Sequence, residues 1–463
     1  MFSADVYAQR RRELRKTVGT GLILLPGNDG SPMNYTDNQY NFRQDSSFLY
    51  FFGLNLAGLA GVLDCAAGED WIFGDDLTVE DFVWTGPQPT LAEQARVAGA
   101  VKTAPLAALA AMLERASKQG AKVHFLPPYR PENKIKLFQW LGIRPEEAKA
   151  KASVDLIYGV VNQRNYKSDE EIAEIRRAVD TTVDMHTLGM RMAKPGVSEL
   201  TIAAALQQVA VAAGGQLSFS TIATINGQTL HNHHHGNVLK AGDLFMLDAG
   251  AETAMGYAGD LSSTVPVSGK FTARQKDVYD LCLECHNAAI GMLKPGIPFK
   301  DIYFGTARIL VRGLQGFGLM KGNVDDAVAN GAHALFFPCG LGHMMGLDVH
   351  DMEDLGEEYV GYGGEAKSTQ FGLKSLRLGR RLEPGFVLTI EPGIYFIPEL
   401  IDQWKANRTN ADYIDYGALE AYRTFGGLRN EEDFLITADG YRLLGKAKPK
   451  SSAEVEAEWA AGR

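Results

Sequence analysis

The chain has 463 residues and a formal net charge of −10, because 46 Lys and Arg stand against 56 Asp and Glu. This acidic balance disfavours a uniformly basic nucleic-acid surface, so nucleic acids are not expected as partners. The composition, 45% hydrophobic and 22% charged, is typical of a globular protein and excludes the disordered and collagen-like classes.

Cysteine content and the N-terminus bear on the compartment. Four cysteines in so long a chain cannot form a disulfide framework, and such sparse use favours a reducing compartment. The arginine-containing N-terminus lacks the apolar core of a signal peptide. No run of about 18 uncharged apolar residues is present to span a membrane. These features predict a cytoplasmic protein without a membrane partner.

The first third of the chain mixes short β-like runs with a helical stretch. The β-like runs are residues 20–25, 48–52 and 122–126, and the Ala/Leu-rich helical stretch is residues 105–116. That alternation predicts a small α/β domain. A polar segment follows, and the predicted boundary divides the chain into domains 1–165 and 166–463.

Two capped helices recur one hundred residues apart in the predicted second domain. Each begins with a capping box, formed by Ser168 and Glu171 in the first and by Thr272 and Gln275 in the second. A Lys-Pro-Gly segment ends each helix, at 194–196 and 294–296, and a further amphipathic helix follows. Chance is one explanation, since helices often end at Pro and Gly. The matched order favours two similar halves with a site between them.

Acidic residues follow apolar strands in this second region. A buried strand is predicted to end in Asp248, and Asp260 stands twelve residues further on, on the other arm of a hairpin. Glu391 ends another apolar run, and Glu431 stands at the start of the next strand. Two turn aspartates are an alternative interpretation of the first pair. Buried acids at strand ends, however, need a partner.

Charge and ligand chemistry favour a metal site over a salt-bridge network. The four acids carry −4 with few basic residues nearby in sequence, and His343 stands among glycines that let a backbone approach a ligand. Two divalent ions would balance the four carboxylates, with neutral His343 as a nitrogen ligand. Such ligands suit Mn²⁺, Co²⁺ or Zn²⁺, and two metals can activate water for hydrolysis.

The order of these residues resembles the pita-bread metallopeptidases of the prolidase and aminopeptidase P type. The matching motifs are Asp248-Ala-Gly250, Gly256-Tyr-Ala-Gly-Asp260, Gly342-His343, Val349-His350-Asp351, Ile390-Glu-Pro-Gly393 and Arg429-Asn-Glu431. Residues 42–53 are similar to the creatinase-type N-terminal domain of that family. The resemblance implies an α+β pita-bread catalytic domain with pseudo-twofold halves, preceded by a smaller α/β domain of the creatinase type.

The resemblance also assigns roles to the site residues. It implies that Asp248 binds one metal ion and that His343 and Glu391 bind the other. Asp260 and Glu431 would bridge both ions. Manganese is the first choice of metal, with cobalt or zinc as alternatives. A metal-bridged hydroxide would attack the scissile carbonyl, and Glu391 would pass its proton to the departing proline nitrogen. His231 or His350 would stabilise the oxyanion.

The implied substrate is a proline-containing di- or oligopeptide. Arg377 lies in a segment similar to one that grips the substrate's C-terminal carboxylate in prolidases, which favours an Xaa-Pro dipeptidase. The alternative function is an Xaa-Pro aminopeptidase that acts on longer peptides. The alternative role of Arg377 is a salt bridge with a surface acid. Arg429, His231 and His350 are further substrate-binding candidates.

Asp37 resembles a position that reaches a neighbouring subunit's site, which implies a homodimer or homotetramer. A non-catalytic peptide-binding protein is a more remote alternative.

Several residues depart from the family pattern or have an ordinary structural explanation. Cys339 occupies a position, four residues before His343, where the family usually has a histidine, and a thiol cannot supply the same cationic donor. Cys282 and Cys285 are expected to be buried packing residues inside a helix rather than a redox or zinc pair. The segment from Lys446 is expected to be a solvated helix or frayed tail.

Overall fold

A computed structural model of the chain describes residues 1–100 and 102–462. These residues form two compact units. The first contains Met1–Arg164 and Met352–Tyr359, and the second contains Asn165–Asp351 and the chain from Val360 onward. Within the described ranges, no helix has the length and apolar character needed to cross a membrane.

The first unit combines a mixed sheet with surrounding helices. Its strands are β1 Leu22–Pro26, β2 Pro32–Tyr35, β3 Asn38–Gln39, β4 Ala60–Asp64, β5 Glu69–Phe73, β6 Lys102–Ala104 and β7 Val123–His124. Its helices are α1 Ala4–Val18, α2 Ser46–Phe52, α3 Val79–Thr85, α4 Leu91–Val97, α5 Leu109–Lys118, α6 Pro131–Leu141 and α7 Val154–Arg164. The five-stranded sheet has the order β6-β5-β4-β1-β7, and Leu24, Val62 and Phe73 pack there with Leu109 and Leu113 of α5. The predicted helical stretch is thereby confirmed.

One predicted strand of this unit is wrong. Residues 48–52 belong to helix α2, which Asp45 caps by accepting the Phe48 N–H at 2.9 Å, and which ends at Gly53 in the left-handed conformation. Every residue of α2 is buried. Because no face of the helix is polar, its apolar run has no helical period to distinguish it from a buried strand.

The second unit places its strands among long helices. Its strands are β8 Gln216–Leu217, β9 Ile222–Thr224, β10 Leu244–Ala249, β11 Ala251–Glu252, β12 Leu261–Pro266, β13 Val387–Ile390, β14 Gly393–Tyr395, β15 Gly427–Arg429, β16 Glu432–Ile436 and β17 Tyr441–Leu443. Its helices are α8 Asp169–Met192, α9 Glu199–Ala212, α10 Ala273–Gly291, α11 Phe299–Gly316, α12 Val324–Ala329, α14 Pro398–Ala406 and α15 Ser452–Ala461. A short helix, α13, spans Glu357–Val360, where the chain returns from the first unit. Three-stranded sheets have the orders β12-β10-β9 and β13-β16-β17.

The two halves of this unit repeat the same local pattern. Both predicted capping boxes are present, at the starts of α8 and α10. After each helix, the glycine of the Lys-Pro-Gly segment donates its N–H to a distant carbonyl at 2.8 Å, Gly196 to Leu239 and Gly296 to Leu382. Helices α9 and α11 then follow in matching positions. The predicted pseudo-twofold organisation is confirmed.

The C-terminal segment differs from the sequence prediction. Helix α15 is not freely solvated, because its Val455 and Trp459 are buried, and the Trp459 indole N–H donates to the Ala193 carbonyl at 2.6 Å. Lys448, which precedes α15, is also buried. The prediction of a solvated or frayed tail is therefore wrong, since lysines and alanines by themselves do not reveal which side of a segment packs.

Candidate metal centre

Two of the predicted ligands lie on adjacent antiparallel strands. Asp248 is in β10 opposite Ser262 of β12, and Asp260 immediately precedes β12. Both side chains are buried. The Asp260 backbone N–H donates to Asp433 Oδ2 at 3.1 Å, which fixes the chain where this carboxylate leaves the sheet. The predicted antiparallel arms are present, and their two carboxylates are buried.

The second pair of acids is placed in the same way by the other half. The β13 and β16 strands pair antiparallel with Ile390 opposite Glu432, so Glu391 and Glu431 leave the same end of that pair. Ser262 Oγ donates to Glu431 Oε2 at 2.7 Å, and the Glu431 N–H donates to the Ser262 carbonyl at 3.2 Å. Strand β12 of one half therefore holds a carboxylate of the other.

His343 is held with one ring nitrogen towards these acids. Its backbone N–H donates to Thr389 Oγ1 at 3.1 Å, and its Nδ1 lies 3.0 Å from the Met344 carbonyl. Because a carbonyl only accepts, this contact places a proton on Nδ1, so in the neutral imidazole Nε2 carries the lone pair that a metal needs. Nε2 is 3.4 Å from Asp260 Oδ2 and 3.5 Å from Glu391 Oε1.

The cluster has the chemistry of a cation site. One candidate ligand atom from each of Asp260, His343 and Glu431 lies within 4.8 Å of the others, and all three residues are buried. Within the described residues, Asp260 Oδ1 is buried without a hydrogen-bond donor. Burial, followed by the charge of Asp248, raises the pKa of Asp260 to about 8. Burial also raises the pKa of Glu391 and Glu431. A divalent cation would offset both the burial and the repulsion, so these residues fit a metal.

A cation from the protein also enters this cluster, which corrects the charge count made from sequence. The buried Arg429 guanidinium donates to Ser262 Oγ at 2.8 Å and to the Tyr395 hydroxyl at 2.7 Å, and also to Asp248 Oδ2. Although burial opposes its charge, the surrounding anions hold the pKa of Arg429 above its usual value. Arg429 therefore fixes the orientation of Asp248, and its predicted role in substrate binding stays a prediction.

Three other predicted site residues lie close to the cluster. The rings of His343 and His350 have their centroids 4.3 Å apart. Loss of hydration, followed by the charge of Arg429, lowers the pKa of His231; Asp248 opposes this shift, and Arg377 and His350 add to it. The half-buried Arg377 also acts on Glu391 through its charge. The fold thus brings together residues that are widely separated in sequence.

Asp37 and the cysteines occupy different settings. Asp37 is exposed in the turn between β2 and β3 of the first unit. Burial, followed by the charge of Glu391, raises the pKa of the Cys339 thiol to about 12, so this side chain is neutral. Cys282 and Cys285 are buried within α10, and Cys282 Sγ donates to the Pro392 carbonyl at 3.2 Å. Their predicted packing role is confirmed.

Sequence reasoning missed residues that support the cluster from behind. Ser262, Thr389 and Tyr395 contact the predicted ligands or Arg429, but a hydroxyl side chain within a strand carries no local signal of that role. Lys448 was missed because it lies in a lysine-rich segment. The acidic run Glu431 to Asp433 was visible in the sequence, and Asp433 was not singled out within it.

The similarities to known proteins agree with this fold and site. Residues 173–438 match Metallopeptidase family M24, and residues 7–126 match the Aminopeptidase P N-terminal domain. The chain belongs to metallopeptidase family M24. The predicted family, fold and enzyme class are therefore confirmed, and a dependence on divalent metal follows from the class.

Its relatives span two kinds of peptidase. A Homo sapiens protein named Xaa-Pro dipeptidase is 29% identical, with 97% of this chain and 90% of the relative covered. An Escherichia coli strain K12 protein named Xaa-Pro aminopeptidase is 31% identical, with 100% of this chain and 99% of the relative covered. The solved structure of Zn substituted E. coli Aminopeptidase P in complex with product has a TM-score of 0.79 and 27% identity, with 100% and 99% coverage.

Proposed function

We propose that the chain is a metal-dependent peptidase that hydrolyses the peptide bond preceding proline. The observation that carries this proposal is the buried cluster of Asp260, His343 and Glu431, with Asp248 and Glu391 beside it. Similarity over almost the whole chain to proteins named Xaa-Pro dipeptidase and Xaa-Pro aminopeptidase supports the choice of bond.

The proposed cofactor is a pair of divalent cations, Mn²⁺ in first place with Co²⁺ or Zn²⁺ as alternatives. Asp248 would hold one ion and His343 with Glu391 the other, while Asp260 and Glu431 would bridge them. Divalent cations in such a site supply Lewis acidity towards water and a carbonyl oxygen. Arg429 fixes Asp248, and Ser262 fixes Glu431, so the protein sets the orientation of both carboxylates.

Glu391 is the proposed proton carrier. Burial raises its carboxylate pKa, which favours uptake of a proton by this group. Its Oε1 lies 3.5 Å from His343 Nε2 and from Thr389 Oγ1, so the carboxylate has a defined place. We assign it to accept a proton from the attacking water and to deliver it to the departing proline nitrogen. His231 or His350 would donate a hydrogen bond to the developing oxyanion.

The preferred substrate is proposed to be an Xaa-Pro dipeptide. The Arg377 guanidinium would bind the substrate's C-terminal carboxylate, since a planar guanidinium can donate two parallel hydrogen bonds to the two carboxylate oxygens. The alternative is an Xaa-Pro aminopeptidase, which the similarity to the E. coli relative supports. Cys339 bears on the choice between these two activities, because a neutral thiol replaces the histidine that is usual in the family. The charge of Glu391 acts on this thiol, so Cys339 lies near the proposed proton carrier.

Further features complete the proposal. We assign residues 1–165 to the N-terminal domain and 166–463 to the catalytic domain, with a cytoplasmic location. We expect a homodimer or homotetramer in which Asp37 reaches the site of a neighbouring subunit, for which its exposed turn is suitable.

Hydrolysis of Ala-Pro and of Ala-Pro-Ala by Mn²⁺-loaded protein, beside a chelated control, tests the proposed activity. Cleavage of Ala-Pro alone, lost on chelation, is the expected result. Cleavage of Ala-Pro-Ala would establish the aminopeptidase alternative instead. No cleavage of either peptide by metal-loaded protein would contradict the proposed function.

A further inference from the structure

Lys448 places a buried ammonium group behind the candidate metal ligands. The residue is 4% exposed although it belongs to a lysine-rich segment near the C-terminus. Its Nζ donates to the Ser262 carbonyl at 2.7 Å and lies 3.3 Å from both Ser263 Oγ and Asn430 Oδ1. An ammonium has three donors, so each has an acceptor in this position.

One acceptor of Lys448, Ser262, also holds Glu431, and another, Asn430, directly precedes it in the chain. The side chain of Ser262 donates to the Glu431 carboxylate, and its carbonyl accepts the Glu431 N–H. Asn430 directly precedes Glu431 in the segment between β15 and β16. The ammonium therefore joins strand β12 of one half to the segment of the other half from which Glu431 projects.

Two buried histidines, one from each half, lie near enough to this ammonium for its charge to act on them. His186 in α8 and His286 in α10 are one hundred residues apart, the same interval as the Lys-Pro-Gly segments. Burial lowers the pKa of His186 to about 3 and that of His286 well below its usual value, and the charge of Lys448 adds to both shifts. His186 Nδ1 lies 2.9 Å from Ser263 Oγ, which Lys448 also contacts. Both imidazoles are neutral, so neither competes with Lys448 as a cation.

We propose that Lys448 is a positioning residue of the metal centre, through which the C-terminal segment locks the two halves together and fixes Glu431 for cation binding. This inference rests on the proposed function. The ammonium repels an incoming cation, but its hydrogen bonds go to Ser262 and Asn430, and Ser262 in turn donates to the Glu431 carboxylate. Its hydrogen bonds act directly on those residues, so we expect the positional effect to exceed the repulsion.

The test compares Lys448→Met with Lys446→Met in the full-length protein. Lys446 lies in the same segment but is exposed, and its ammonium pairs with Asp184. Mn²⁺ binding to chelator-stripped protein is measured by titration calorimetry, and thermal unfolding of the metal-free protein is measured in parallel. Loss of a direct hydrogen-bond partner of a metal ligand typically costs about 10–100-fold in affinity. Lys448 acts one step further out, through Ser262, so for Lys448→Met we expect a loss at the lower end of that range, about tenfold. Lys446→Met should change affinity by less than about twofold, since exposed ion pairs contribute little.

The outcomes separate positioning from support of the fold and from the proposed function itself. A Lys448→Met protein that unfolds at a lower temperature but binds Mn²⁺ as the wild type does would overturn the inference. If Lys448→Met does not fold, Lys448→Gln carries the same comparison, because its shorter side chain has two donors for three acceptors. Wild-type affinity in Lys448→Gln would likewise overturn it. A wild-type protein that binds no Mn²⁺ would instead contradict the proposed function.

Discussion

Lys167 and Asp351 form a buried ion pair behind the loop that carries His343 and His350. The Nζ and Oδ2 atoms are 2.9 Å apart, and 1% of each side chain is exposed. Asp351 directly follows His350, its N–H donates to the Met344 carbonyl at 2.9 Å, and its Oδ1 accepts the Asp348 N–H at 3.3 Å. Asp351 therefore closes the loop from Met344 to Asp351, and the Lys167 ammonium holds the carboxylate of that residue.

Replacing Lys167 with methionine should destabilise the second unit strongly. Methionine retains most of the length of the lysine but removes the ammonium, so the Asp351 carboxylate stays buried without its cation. Removing one partner of a buried pair costs about 3–5 kcal/mol. That loss is a large part of a typical free energy of unfolding of about 5–15 kcal/mol. The double variant Lys167→Met/Asp351→Leu should recover much of it, because apolar replacement of both partners is often neutral.

Urea unfolding followed by circular dichroism and tryptophan fluorescence measures this effect. The matched control is Lys276→Met, which breaks an exposed pair with Asp280 on α10 in the same unit and should shift the unfolding midpoint little. The reasoning is refuted if Lys167→Met shifts the midpoint no more than the control. It is equally refuted if the double variant is as unstable as Lys167→Met alone.

Three further substitutions test the proposed chemistry by steady-state kinetics. Glu391→Gln should lower kcat for Ala-Pro by about 100-fold or more with a smaller change in KM, since it removes the proton carrier; an unchanged kcat would exclude that role. Arg377→Ala should raise KM for Ala-Pro by removing the group proposed to bind its C-terminal carboxylate, whereas an unchanged KM would exclude a carboxylate clamp. Cys339→His should raise dipeptide turnover by restoring a cationic donor, and unchanged turnover would mean that the thiol is neutral for catalysis.

The acids of the site could be predicted from sequence because each stands at an end of a recognisable strand. Asp248 and Glu391 stand at or directly after strands whose residues are all buried, so the pattern located the strands and the site together. The capping boxes of α8 and α10 were similarly local, since both partners lie within one turn. Short-range patterns thus defined most of the second unit.

The supporting contacts could not be predicted, because they join distant segments. Arg429 and Asp248 are 181 residues apart, and Lys448 reaches Ser262 across 186 residues. Nothing within a local window indicates that a lysine among alanines and serines becomes buried. The prediction for helix α2 was wrong for a different reason. Because the helix is buried on all sides, its sequence lacks the alternation of apolar and polar residues that distinguishes a helix from a strand.

The most direct test of the proposed metal centre counts the ions bound by wild type and by Asp260→Ala. Each protein is stripped with chelator, loaded with Mn²⁺, freed of excess metal by gel filtration and analysed by mass spectrometry for manganese per chain. We predict two ions in the wild type and loss of both in Asp260→Ala, because Asp260 is proposed to bridge them. Full manganese content in Asp260→Ala would contradict the bridging site.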